Sequence, residues 1–301
     1  MKRYLPAIGM MLLYMGAQSQ QLHFTSQYLQ HNSMYNPAAA GIAGKDLLGL
    51  SYRNMWSSFP GNPRTFMIYG DFAIDKLNAG LGAYAYRDET GPTSRTGIQL
   101  AYSYHITSRS GKGKLGLGLE LRGLQYAIDK TKISAALGND PVLNGSNNKT
   151  GIDAGAGVYY TNGGLSVGAA VSQLIQSKLE LASVPNSKQG GRLYRHYNVT
   201  ANYKIKTDSD IYLLPNFMTR IIENSPSEYE LGMLVNYQEK VWWATSWRFK
   251  QSWSLQAGFK LLQRVALTYS YDIYQTPISV YTSGSGAHEI GMQFDIQKSS
   301  E

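Results

Sequence analysis

Val265-Ala266-Leu267-Thr268-Tyr269-Ser270-Tyr271-Asp272-Ile273 decides the fold. Read in steps of two, it separates Val265, Leu267, Tyr269, Tyr271 and Ile273 from Ala266, Thr268, Ser270 and Asp272. An extended strand puts successive side chains on opposite faces, so one face wants lipid and the other water. A helix would scatter both sets around its circumference. The closing stretch repeats the pattern in phase, with Ile290, Met292, Phe294 and Ile296 set against Glu289, Gly291, Gln293 and Asp295.

Working back from there, strands are expected near 46–54, 63–74, 78–88, 95–107, 112–128, 150–161, 163–173, 193–206, 209–222, 227–238, 240–250, 252–262, 264–274 and 286–297. That makes about fourteen antiparallel strands, an even number that suits a single-chain outer-membrane β-barrel. The connectors test this map independently. Those after every second strand should be periplasmic and short, and 75–78, 108–113, 162–164, 207–209, 238–240 and 263–264 all are. Of the other seven, five are expected to be long: 55–62, 88–94, 129–149, 173–192 and 275–285. One missed or false strand would scramble this parity.

Charge placement gives the inside and the outside. Leu115, Leu117, Leu119 and Leu121 should face lipid with Glu120 and Arg122 inward, and Tyr229, Leu231, Met233 and Val235 should oppose Glu230 and Asn236. A charge on the lipid face near the midplane costs about 2–4 kcal/mol, so inward positions take the charges. Arg248 and Asp272 join this inward set, which either lines a pore or pairs to close it. Tyr159, Tyr160, Tyr237 and Trp242 near strand ends are expected in an aromatic girdle. The strand near 78–88 is ambiguous, because Gly80, Gly82, Ala83 and Ala85 give little contrast between faces.

Ahead of the barrel, Lys2 and Arg3, the apolar run Leu5–Met15 and Ala17-Gln18-Ser19 read as an export signal over residues 1–19. Residues 20–44 then form an N-terminal plug or periplasmic segment, and 45–301 the barrel. With no cysteine there is no lipoprotein anchor, disulfide or thiolate metal site, and no metal or cofactor is expected. No stretch reaches the roughly 18 apolar residues of a spanning helix. Twenty-three tyrosines, 31 glycines and a mean hydropathy of -0.30 suit apolar residues spread over alternate positions. The net charge of +8 becomes +6 once Lys2 and Arg3 leave. The basic residues lie mostly in turns, which fits an anionic leaflet or an acidic protein better than nucleic acid.

The segment from His23 to Gly44 is more than a barrel needs. Either it is a remnant without fixed structure or it packs in or under the barrel mouth, where Tyr28, Tyr35, Asn36 and Pro37 would plug a lumen too wide for wall side chains alone to fill. Its Ser26-Gln27-Tyr28, Tyr35-Asn36-Pro37-Ala38 and Gly41 begin a longer series. Tyr52-Arg53-Asn54 with Trp56, Phe59-Pro60-Gly61-Asn62-Pro63 with Thr65, Tyr269-Ser270-Tyr271-Asp272 and Gly286-Ala287-His288-Glu289-Ile290 follow in order. Together they resemble the PorP/SprF family. The resemblance implies an outer-membrane barrel of the type IX secretion system, linked to gliding motility. It also implies partners: a large secreted surface protein, recognised through its C-terminal signal domain, and periplasmic secretion components. The family is related to FadL-type transporters, whose N-terminal hatch carries an Asn-Pro-Ala element like Asn36-Pro37-Ala38, and a FadL-like plugged barrel is therefore expected. The chain departs from many outer-membrane proteins in not ending on an aromatic residue, since Phe294 is followed by a polar tail.

A catalytic role is not expected. Adjacent His288 and Glu289 point to opposite faces of a strand, and a barrel enzyme would need a Ser or an acid against His196 or His288. For partner binding the external loops are the candidates. The first loop offers Trp56, Phe59 and Arg64, with the aromatic pair either presented to a partner or folded back over the lumen; Asn139 and Asn144 lie on one long loop, Lys188 and Arg192 on the other. The alternative to a secretion or anchoring role is a passive channel for a small hydrophobic or sugar ligand.

Overall fold

The structure, a computed structural model, describes residues 25–133, 148–179, 192–207, 210–223, 225–282 and 284–296. The expected export signal lies outside these residues. The chain forms β1 (Asp46–Met55), β2 (Arg64–Ile74), β3 (Ala79–Thr90), β4 (Thr93–Thr107), β5 (Gly113–Ile128), β6 (Asn148–Asn162), β7 (Leu165–Ser172) and β8 (His196–Tyr203). It continues through β9 (Ile205–Lys206), β10 (Ile211–Ile222), β11 (Glu228–Tyr237), β12 (Val241–Arg248), β13 (Ser252–Leu262), β14 (Val265–Tyr274) and β15 (Ala287–Ile296). Each pairs antiparallel with its neighbours, and β15 returns to β1 with Asp46 opposite Ile296 and Met55 opposite Ala287. β8 and β9 flank Lys204 and lie along β10 at successive heights, so they make one wall strand. The result is a closed barrel of fourteen antiparallel strands, with short turns at one end and longer loops at the other, the arrangement of outer-membrane barrels with the short turns in the periplasm.

The alternation places the faces as charge placement requires. Leu117, Leu119, Leu121, Tyr229 and Leu231 are exposed on the outer wall while Glu120, Arg122, Glu230, Arg248 and Asp272 are buried inside. On β3 the ambiguity resolves into an outer Leu81 and an inner Gly80, Gly82, Tyr84 and Tyr86. Two expectations are corrected. The long connector expected at 88–94 is the tight turn Gly91-Pro92, because β3 and β4 stay paired up to Thr90 and Thr93. Of the four girdle aromatics, Tyr160 and Tyr237 face outward, but Tyr159 is buried and Trp242 sits at an inward position.

The inward aromatics have a local cause. Trp242 lies opposite Gly258 on the neighbouring strand, and Tyr159, Tyr69 and Tyr86 lie opposite Gly168, Gly49 and Gly97 in the same way. A β-carbon on any of these glycines would fall inside the facing ring. The ring covers the glycine backbone, and the pair fixes the register of two strands. Gly258→Val should therefore push Trp242 off its site and destabilise the barrel by about 1–3 kcal/mol, the usual cost of overpacking. The midpoint of urea unfolding in detergent, followed by tryptophan fluorescence, measures it.

Candidate functional site

Residues 25–44 run through the barrel lumen, touching inward side chains on most of the wall. They form a single turn at Tyr28–Gln30, a four-residue helix α1 (Asn32–Tyr35) and a further turn at Pro37–Ala39. The Asn-Pro-Ala element explains the last of these. The Asn36 side chain accepts from Ala38 N at 3.0 Å and caps the turn, while Pro37 occupies its first position, where an N–H would have had no partner. The Asn36 amide also donates to Val158 O at 2.9 Å, which ties the cap to β6. Tyr28, Met34 and Tyr35 pack with Met67, Tyr69, Tyr84, Tyr86 and Met218 into a core inside the barrel.

Glycines on the wall make room for the second half of the segment. Gly80 lies against the Ala40 carbonyl, Gly116 and Gly118 against Ala38 and Pro37, and Gly157 against Asn36. Gly41, with φ +64, fits against Phe72 O and Gly80 Cα, where no side chain has space. The glycine-rich inner face of β3, mute as a sequence, is thus a docking surface.

The first half is held by charge. Arg53 donates to Asp272 at 2.5 Å and to Glu289 at 3.0 Å, and all three are 2% exposed or less. Ser26 completes the network. Its hydroxyl meets Asp272 at 2.7 Å and accepts from Arg53 at 2.9 Å, and its N–H donates to Glu289 at 3.0 Å. Thr25 Oγ1 donates to the same carboxylate, and Ser51 reaches it at 2.9 Å. Charges this deep are tolerable only when paired and hydrogen-bonded, as these are. Three further inward pairs form, Arg122 with Glu120 at 2.8 Å, Arg248 with Glu230 at 3.1 Å and Arg220 with Glu228 at 3.4 Å, while Asp153 and Asp71 accept from backbone N–H groups. Of the two readings of these charges, pairing is the one observed.

The residues expected at the plug, Tyr28, Tyr35, Asn36 and Pro37, all lie in this segment and are buried. Those expected at a partner site are scattered. Trp56 packs edge-on against Tyr274 at 5.8 Å and donates its backbone N–H to Gly286 O, closing the first loop onto the last. Phe59 projects from that loop, 57% exposed, and Val280 of the last loop's helix α2 (Ile278–Tyr281) is 69% exposed. Arg64 opens β2 and is exposed at an outward position, and Arg192 bonds the Gln176 side chain. Asn139, Asn144 and Lys188 lie outside the described residues. At the short-turn end Lys204, Lys206, Tyr212 and Lys240 border an open recess of about 510 Å³.

Sequence reasoning missed Arg53 and Glu289, although both stand in motifs it singled out. Ser26-Gln27-Tyr28, Tyr52-Arg53-Asn54, Tyr269–Asp272 and Gly286–Ile290 converge on this one network. Among the described residues neither His196 nor His288 is joined to a serine or a carboxylate; His288 bonds the Tyr269 hydroxyl at 2.7 Å.

The family described as type IX secretion system membrane protein PorP/SprF matches residues 17–294. Among solved structures, the toluene transporter TbuX of Ralstonia pickettii is similar at 10% identity and a TM-score of 0.53, over 88% of this chain and 93% of that one. The monoaromatic hydrocarbon channel CymD gives 12% identity and a TM-score of 0.51, over 94% and 96%. At these identities the likeness is one of fold. No curated protein matches.

Proposed function

Because the chain belongs to the PorP/SprF family of type IX secretion membrane proteins, we propose that it is a non-catalytic outer-membrane barrel that supports secretion or surface anchoring of a type IX substrate. The observation that supports this best is the filled lumen. With residues 25–44 resident in its interior, the barrel offers its rims to folded partners on either side of the membrane. The long loops, with Phe59 and Val280 beside them, face the secreted partner's C-terminal domain, and the charged recess of Lys204, Lys206, Lys240, Asp210 and Glu239 faces periplasmic components. In this reading residues 25–44 act as a plug.

Affinity purification of the barrel from outer membranes tests it. A large secreted protein should stay bound, and shortening 134–147 or 180–191 should release it. Recovery of the barrel alone, with steady ion conductance in planar bilayers, would replace this reading with that of a diffusion channel.

A further inference from the structure

The wall of the lumen meets its occupant's peptide backbone at eight points, in addition to the side chains of Thr25, Ser26, Gln27, Tyr28 and Asn36. Gln256 Nε2 donates to Ser26 O at 2.6 Å, Gln99 Nε2 to Ser33 O at 3.3 Å, Arg122 to Met34 O at 3.3 Å and Asn198 Nδ2 to Tyr35 O at 3.3 Å. Ser103 donates to Ala38 O at 2.9 Å and His105 Nε2 lies 2.9 Å from Ala40 O. Two carboxylates take main-chain N–H groups, Glu289 from Ser26 and Asp71 from Gly41 at 2.5 Å. These partners are wall side chains, and they come from β2, β4, β5, β8, β13 and β15.

A buried segment must satisfy its backbone somehow. How this one does so is informative. It adds no rung to the sheet, since every wall strand is already paired on both sides without it. Its other backbone bonds, such as Gln30 N to Gln27 O and Ala39 N to Asn36 O, stay within the segment. The barrel's hydrogen-bonded cylinder is therefore complete without its occupant. Residues 25–41 also contain no Asp, Glu, Lys or Arg, so their place in the lumen requires no charged partner of their own.

We infer that the lumen is a polypeptide-binding groove, that residues 25–41 are its resident occupant, and that a second uncharged segment of the same kind binds in their place. Its chemistry follows from the contacts: hydroxyl side chains at its start, to meet Asp272 and Glu289, and a turn of alanine and glycine at its end, because Gly80, Gly116 and Gly118 leave room for backbone only. The inference stands whether or not the rim loops hold a secreted partner.

The test uses the full chain in detergent and a fluorescent synthetic peptide of residues 25–41. Ala38→Leu weakens the resident segment while leaving every wall residue in place, since Ala38 is fully buried between Gly116 and Gly118. Ser26→Pro does so at the other end, by deleting the N–H and hydroxyl that meet Glu289 and Asp272. Heat-modifiable gel mobility reports the folded barrel, and chymotrypsin cleavage at Tyr28 and Tyr35 reports release of the segment. Either folded variant should bind the peptide saturably with a Kd at least tenfold below that of the unsubstituted chain, and a peptide carrying Ala38→Leu should not bind. Peptide binding no tighter than to the unsubstituted chain overturns the inference. So does a segment that stays resistant to chymotrypsin in both variants, or failure of both to fold, because the barrel would then not be separable from its occupant.

Discussion

Arg53→Met should destabilise the barrel by about 3–5 kcal/mol, the cost of removing one side of a buried, hydrogen-bonded ion pair. Arg53 faces two carboxylates, and both are fully buried. Without it Asp272 and Glu289 confront each other with the Ser26 and Ser51 hydroxyls, Thr25 and one N–H to meet them, and with Arg248, already paired with Glu230, as the cation left to act on Asp272. The expectation has a sharper second half. Combining Arg53→Met with Asp272→Asn and Glu289→Gln removes charge from both sides and should restore most of the loss, because replacing a whole buried ionic group is far less costly than breaking it. Urea unfolding midpoints in detergent measure both. A loss under about 1 kcal/mol in the single variant, or a triple variant no better than the single one, would show that water reaches these charges and that they do not hold the segment.

The wall of this barrel was legible because lipid on one side and a filled lumen on the other impose a period of two on almost every strand. The connectors then gave the strand number, and only at Gly91-Pro92 did a tight turn read as a long loop, because the strand ends there are polar like a loop. What period two does not give is which residues meet across the lumen. Arg53, Asp272 and Glu289 were each placeable on the inner face, but their convergence depends on barrel closure and on where residues 25–28 lie. Tyr159 and Trp242 were misplaced for a related reason. An aromatic near a strand end suits a girdle, and the contrary signal, Gly168 and Gly258, lies on the neighbouring strand. The inner face of β3 was unreadable because glycines show no preference for either side, and the cause is now clear: the segment's own backbone occupies the space where side chains would be.

That space sets the largest expected change in behaviour. Gly118→Leu should expel the second half of the segment and open the lumen to ions. A β-carbon at Gly118 would lie within 2.5 Å of Pro37 C and of Ala38 Cα. Both are backbone atoms, so no flexible side chain can swing aside. The wall gives less than the segment does, because Gly118 pairs with Ser103 on one side and Gly157 on the other in a complete ladder. Once Ala38 moves, its carbonyl loses Ser103, and the displacement works against the contacts of Ala40 with His105 and of Gly41 with Asp71. The first half is held separately by Arg53, Asp272 and Glu289, so the segment should remain attached there while the glycine-lined side of the lumen empties. The signature is therefore partial: steady conductance in planar bilayers where the unsubstituted chain gives little, chymotrypsin cleavage at Tyr35 ahead of Tyr28, and unchanged heat-modifiable mobility. A Gly118→Leu barrel that stays folded, closed and resistant at Tyr35 would mean that the wall, and not the segment, yields.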